Sequence, residues 1–245
     1  MTAKSARTFL CVTPRDRAII HACYSLGWAP GPTFTALYRD ADRTFLQRRM
    51  RRLSTAGYLE LARVGGSTLA TINLFAVGRA ALPVGQPRPW RPRPAQIEHT
   101  LAVGDVLAQL ATPGRWSWLQ VEGWQGEAEL RDWAAPGDPY PDLQVNWQAN
   151  GIAGSWCVEV DRGTESGPAW RRKLVRYLRA RPTATILAVT TGPARARNLA
   201  QLGIDVGVHV QALSLAELRA GNPPEVHDSR TKARLSLLAA CTHSV

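Results

Sequence analysis

Asp42-Arg43-Thr44-Phe45-Leu46-Gln47-Arg48-Arg49-Met50-Arg51-Arg52-Leu53-Ser54-Thr55-Ala56-Gly57-Tyr58-Leu59 is the stretch on which the N-terminal fold turns. Its apolar residues recur at helical spacing, which predicts a helix from Arg43 to about Ala56 with Phe45, Leu46, Met50 and Leu53 on the buried face. Asp40 or Asp42 supplies the N-cap, and Gly57 stops the helix in the left-handed conformation that glycine adopts without a side-chain penalty. Arg43, Thr44, Gln47, Arg48, Arg51 and Arg52 are left on the other side.

Upstream, Thr13-Pro14-Arg15-Asp16 is a helix start, with Thr13 as cap and Asp16 near the positive end of the dipole. Ile19, Ile20, Cys23, Tyr24 and Leu26 continue a helical stripe that Pro30-Gly31-Pro32 breaks, and Thr33 to Tyr38 makes a short second helix. Downstream, Tyr58 to Val64 reads as a strand, Gly65-Gly66 turns it and Ser67 to Phe75 returns. Three helices followed by a hairpin describe a winged helix-turn-helix over residues 1–82. The run Arg51 to Leu59 resembles the junction of recognition helix and wing in bacterial winged-helix regulators, and Ala76 to Leu82 resembles the small segment after their wing.

Charge singles out the same segment. Residues 1–82 carry twelve Lys/Arg against four Asp/Glu, a net +8 of the chain's +11, whereas residues 99–245 are nearly balanced. A localised basic excess is the electrostatic footprint of a phosphate-binding surface. Arginine pairs bidentately with guanine and glutamine with adenine in the major groove, while other arginines hold phosphates. Double-stranded DNA is therefore the expected partner, through Arg43, Thr44, Gln47, Arg48, Arg51, Arg52 and Arg63. The competing reading is a solvated arginine face on a module that binds protein.

Residues 83–96, with Pro87-Arg88-Pro89-Trp90-Arg91-Pro92-Arg93-Pro94, read as an extended proline- and arginine-rich linker. Beyond it an α/β pattern is expected over residues 97–222. It comprises a helix Ile97–Ala111, a strand at Trp118–Val121, a helix Glu127–Trp133 and strands at Leu143–Trp147 and Ser155–Val160. A basic helix Pro168–Arg179, a buried strand Ala184–Thr190, a helix Ala194–Leu202 and a strand Val206–Leu213 follow. Residues 223–245 form a tail whose amphipathic run, Lys232 to Ala240, packs back or mediates self-association.

Acidic residues fall at informative places in this pattern. Asp142 precedes a strand, Glu159 and Asp161 share one face of the next, and Glu129 lies on a helix before them. Carboxylates gathered at strand ends can hold Mg²⁺, which activates water against a phosphodiester. The alternatives are structural: a turn at Asp161 to Thr164, a cap from Thr164 or Ser166, and an ion pair of Glu159 with Arg171 or Lys173.

Pro141-Asp142 with Glu159-x-Asp161 on the following strand resembles the PD-(D/E)xK nuclease superfamily. Cys157-Val158-Glu159-Val160-Asp161-Arg162-Gly163-Thr164-Glu165, with Lys173-Leu174 and Tyr177, resembles more specifically the replication-relaxation family of plasmids and integrative elements. The likeness covers roughly residues 10–215 and is sharpest over 157–177. It implies a winged helix joined to a restriction-endonuclease-like α/β domain, α+β overall, with Asp142, Glu159, Asp161 and Lys173 as catalytic candidates and Asp142, Glu159, Asp161 and Glu129 as Mg²⁺ ligands. Asp161 stands where the active superfamily carries lysine, so Lys173 would have to reach back from the next helix.

No apolar run is long enough to cross a membrane, no secretory signal is expected in Met1 to Leu10, and the chain is expected in the cytoplasm. Cys11, Cys23, Cys157 and Cys241 form no CxxC pair, the five histidines have no metal-ligand spacing, and no phosphate-cradling glycine motif is present. Three functions remain open at this point. They are a DNA-binding protein of a mobile element in replication, transfer or transcription control, an active Mg²⁺-dependent endonuclease targeted by the winged helix, and a non-catalytic module that binds a replication or relaxase protein. A homodimer is compatible with the first, although no coiled-coil seam is present.

Overall fold

The computed structural model describes residues 10–38, 41–64, 72–84, 93–220 and 223–242. Helix α1 (Pro14–Ser25) starts on a full capping box: the Thr13 side chain accepts from the Asp16 amide, and the Asp16 carboxylate accepts from the Thr13 amide. Asp16 does more than complement the dipole. It is buried, and Arg49 of α3 (Arg43–Thr55) donates to it through Nε at 2.7 Å and through a second guanidinium nitrogen, which ties the two helices together. Burial alone would raise the Asp16 carboxyl, but the bonds from Arg49 and Thr13 hold it down to about 2.

Between them lie β1 (Ala29–Pro30) and α2 (Gly31–Leu37). Asp42 caps α3, accepting from the Phe45 amide at 2.8 Å; the alternative cap, Asp40, lies outside the described residues. Leu46, Met50 and Leu53 face the core as expected, but Phe45 does not: it is 49% exposed. The buried stripe is narrow, and Phe45 sits about 100° round the helix from Leu46, on the solvent side. Gly57, at φ 79°, ends the helix.

Strands β2 (Leu59–Val64) and β3 (Ile72–Val77) pair antiparallel, and β1 joins the free edge of β3 to give the order β1-β3-β2. Residues 65–71, which include the expected Gly65-Gly66 turn, are outside the described residues, as are residues 85–92 of the expected linker.

The larger sheet is built from α4 (Ile97–Ala111), β4 (Leu119–Gly126), α5 (Glu127–Trp133), β5 (Leu143–Ala149), β6 (Ile152–Asp161), α6 (Gly167–Ala180), β7 (Thr185–Thr190), α7 (Pro193–Val206) and β8 (His209–Ser214), continued by α8 (Leu215–Ala220), β9 (Glu225–Asp228), β10 (Ala233–Ser236) and α9 (Leu237–Thr242). Its order is β10-β9-β8-β7-β6-β5-β4, antiparallel at both edges and parallel through β6-β7-β8. The chain is thus a mixed α/β protein, with a seven-stranded and a three-stranded sheet among the described residues.

Two sequence expectations shift here. Helix α7 runs on to Val206 and turns at Gly207 (φ 80°), so the strand expected from Val206 begins at His209. The C-terminal amphipathic run splits into β10 and α9, and it packs back onto the sheet with Leu237, Ala240 and Cys241 buried.

Parallel crossovers place α6 and α7 over Cys157, Ile186, Ala188, Val210 and Ala212. The opposite face, with Val158, Val160, Leu187, Val189 and Leu213, belongs to an apolar core that continues without a break into Ile19, Phe34, Leu46 and Leu53 of the N-terminal helices. Polar contacts reinforce this junction. Ser25 Oγ donates to Glu129 at 2.8 Å and accepts from the Gly126 amide, Tyr24 bonds Asp132, and Thr33 donates to the Gly104 carbonyl at 3.2 Å. Gly104 of α4 allows the approach: a Cβ there would stand 2.8 Å from Thr33 Oγ1 and 2.9 Å from the Pro30 ring.

Candidate functional site

Two constellations stand out, one basic and one acidic. On α3, Arg43, Thr44, Gln47, Arg48, Arg51 and Arg52 are all exposed, and among the described residues none of these arginines pairs with a carboxylate. Arg49 is the exception in the run, being held by Asp16 and by the Cys11 carbonyl at 2.6 Å. Arg43, Gln47 and Arg51, spaced one turn apart, line one flank of a groove of about 740 Å³. The same groove is also lined by Arg63 and Asn73 of the β2–β3 pair and by Gln109, Thr112 and Arg115 at and just after the end of α4. On its other flank α3 borders a hollow of about 600 Å³ lined by Arg15, Phe45, Arg48 and Arg52.

The acidic constellation lies where β5 starts and β6 ends. Asp142, just before β5, accepts from the Val160 amide at 2.7 Å and from His99 Nε2 at 2.9 Å. Glu159 and Asp161 do share a sheet face, turned toward α6 and α7. Glu159 accepts from Tyr177 Oη at 2.6 Å and from Lys173 Nζ at 3.0 Å. Asp161 accepts from Arg195 Nε at 2.5 Å and from the Gly163 amide at 2.8 Å. Lys173 bonds Glu165 as well, at 3.1 Å, and lies over the Trp170 ring. Of the two cations that the sequence offered Glu159, the structure selects Lys173 and leaves Arg171 exposed.

The electrostatics follow from this packing. Burial pushes Glu159 up to about 7, with the nearby Asp142 charge adding to it and Lys173 and Tyr177 opposing it. Burial would lower Lys173, but Glu159 and Glu165 hold it above the usual lysine value. Burial would likewise lower His99, and the Asp142 carboxylate holds it above the usual histidine value. Glu127 is raised by burial and by the Asp142 charge.

Glu129 is elsewhere: Ser25 and Gln125 bond it, and His21 lies at 3.4 Å. Glu127, at the start of α5 with its amide on the Asp142 carbonyl, is the acid of that helix beside Asp142. Among the described residues no three His, Cys, Asp or Glu side chains stand together as a metal-binding group. Both Asp142 oxygens and both Asp161 oxygens have a protein donor in this arrangement. His99 and Arg195 were missed by sequence reading. His99 has no metal-ligand spacing to flag it, and Arg195 meets Asp161 only because α6 and α7 cover the same face.

The model of the replication-relaxation family matches residues 32–188, more than half of the chain. The protein belongs to the replication-relaxation family. The matched span of this replication-relaxation protein takes in α3, the β2–β3 pair, Asp142, Glu159, Asp161 and Lys173. Membership supports a role in replication of a mobile element. No curated protein and no solved structure matches the chain. Among the described residues, no helix of this family member is long and apolar enough to cross a membrane.

Proposed function

We propose that the protein binds duplex DNA of a mobile element through a winged helix formed by α1 to β3, with α3 in the major groove, and that its larger sheet is a PD-(D/E)xK-like domain without strong nuclease activity. The observation that carries this reading is the exposed face of α3, where Arg43, Arg48, Arg51 and Arg52 are offered to solvent without carboxylate partners among the described residues. Guanidiniums at helical spacing with no carboxylate partner among the described residues match phosphates and guanine edges. The order α1-β1-α2-α3-β2-β3, with β1 beside β3, supports the winged helix and puts Arg63 next to the helix. The test is duplex binding by fluorescence anisotropy over a range of salt. Arg48→Ala and Arg51→Ala should each weaken binding, and wild-type affinity in both variants at every salt concentration overturns the assignment of α3.

A second reading, a Mg²⁺-dependent endonuclease, is favoured by one contact: Lys173, on the helix after the Glu159 strand, reaches Glu159 at 3.0 Å. Against it, Asp161 occupies the usual lysine position and is bound by Arg195, and His99 takes one Asp142 oxygen. Supercoiled plasmid incubated with Mg²⁺ or Mn²⁺ distinguishes the two. Nicking lost in both Asp142→Ala and Glu159→Ala supports the enzyme, and intact plasmid with every metal excludes it.

A further inference from the structure

A phenylalanine half exposed on an arginine-rich helix face needs a reason, because the exposed half of the ring contributes nothing to folding and invites association. Phe45 lies in the first turn of α3. When a helix enters the major groove, it is the N-terminal residues that meet base edges. The Asp42 cap accepts from the amide of Phe45 itself, which fixes the backbone that carries the ring. Arg48 and Arg52, three and seven positions on, lie on the same side of the helix, and with Pro14 and Arg15 they wall the hollow into which the ring is set. Guanidiniums flanking an apolar ring match a surface with phosphates on its rims and an apolar group on its floor.

A benzene ring has no hydrogen bond to offer a base edge. The major groove presents one apolar feature, the C5-methyl group of thymine. Resting on the DNA-binding reading above, we infer that Phe45 is a specificity-determining residue that packs on a thymine methyl, while Arg48 and Arg52 hold the flanking phosphates.

The experiment begins with selection of preferred duplexes from randomised DNA by the wild-type protein. Each thymine of the selected site is then replaced singly by deoxyuridine, which keeps the base pair and removes only the methyl, and anisotropy is measured at fixed salt. Burying one methyl-sized group is worth roughly a fourfold change in affinity. One thymine should therefore show about a fourfold loss on removal of its methyl. Phe45→Ala should bind the unmodified site about as weakly and be indifferent to uracil at that position, and Phe45→Leu should keep part of the sensitivity. Since half of the ring is exposed, Phe45→Leu should melt close to the wild type, and both variants should remain fully folded at the assay temperature in a thermal melt, which separates a binding defect from a folding defect. The inference is overturned if no thymine methyl matters, or if Phe45→Ala keeps the wild-type sensitivity. Failure of the underlying reading looks different: the wild type then shows no salt-dependent duplex binding at all.

Discussion

The Lys173 ammonium stands 3.0 Å from a carboxylate oxygen of Glu159, whose other oxygen accepts from Tyr177 at 2.6 Å. A buried acid on a central strand is thus held by one cation and one hydroxyl, both from α6. Truncating the cation leaves the acid with its burial penalty and one neutral donor.

For Lys173→Met we expect a loss of about 2 kcal/mol of unfolding free energy at pH 8, below the full cost of breaking a buried pair because the lysine is a quarter exposed. Glu159 is raised from 4.5 in the unfolded chain to about 7 in the folded protein, so the folded state binds the extra proton. Its contribution to stability is therefore present below about pH 4.5 and lost as pH rises through about 7. Two consequences can be read from urea denaturation. The Lys173→Met deficit should shrink at pH 5, where Glu159 is protonated, and Glu159→Gln should flatten the wild-type decline between these values. An equal deficit at both pH values would show that the lysine acts through packing alone.

Asp16 predicts the opposite slope. Its carboxyl falls from 3.8 to about 2 on folding, worth about 2 kcal/mol. That stability is present above about pH 3.8 and is lost as pH falls through about 2. Arg49→Ala, which removes the principal bonds responsible, should lower stability near neutrality by a similar amount and weaken the acid dependence in that window. Thermal melts from pH 2 to pH 6 measure both effects.

On the DNA-binding reading proposed above, salt dependence identifies which arginines touch phosphate. Each phosphate contact adds about 0.9 to the slope of log affinity against log salt. Arg52→Ala should reduce that slope by about this amount, whereas a base-reading arginine should lose affinity with the slope unchanged. Identical slopes for wild type, Arg48→Ala, Arg51→Ala and Arg52→Ala would mean that α3 contacts no backbone.

Gly104→Ala tests the seam between the N-terminal helices and the large sheet. The added methyl would meet Thr33 Oγ1 at 2.8 Å and Pro30 at 2.9 Å, so one of the packed elements must shift. Overpacking of this kind costs about 1–3 kcal/mol. Because α2 and α4 pack directly, the loss should appear as one cooperative transition at lower denaturant. A variant as stable as the wild type would show that the seam yields freely.

Much of the fold is legible along the chain. The sequence expectation for α4 and α5 coincides with the observed bounds Ile97–Ala111 and Glu127–Trp133, since amphipathic spacing and helix ends are local signals. Thr13, Asp42 and Ser166 cap their helices as their residue types predict. The two-residue β1 and the pair β9–β10 have no clear signal in the sequence. Such short strands carry little periodicity and exist because another strand offers its edge.

What the sequence determines by itself is therefore what a residue and its near neighbours settle: caps, periods, the basic face of α3 and the alternation that sets Glu159 and Asp161 on one side of β6. Only the tertiary structure decides that Lys173 rather than Arg171 meets Glu159, that Arg195 closes Asp161 and His99 holds Asp142, that Glu129 turns to Ser25, and that Phe45 faces solvent. The physical reason is range. A hydrogen-bonded cap or an apolar stripe is fixed within a turn or two of the chain, whereas the partner of a buried charge is chosen by whichever distant element packs over it, through geometry that the local pattern does not carry.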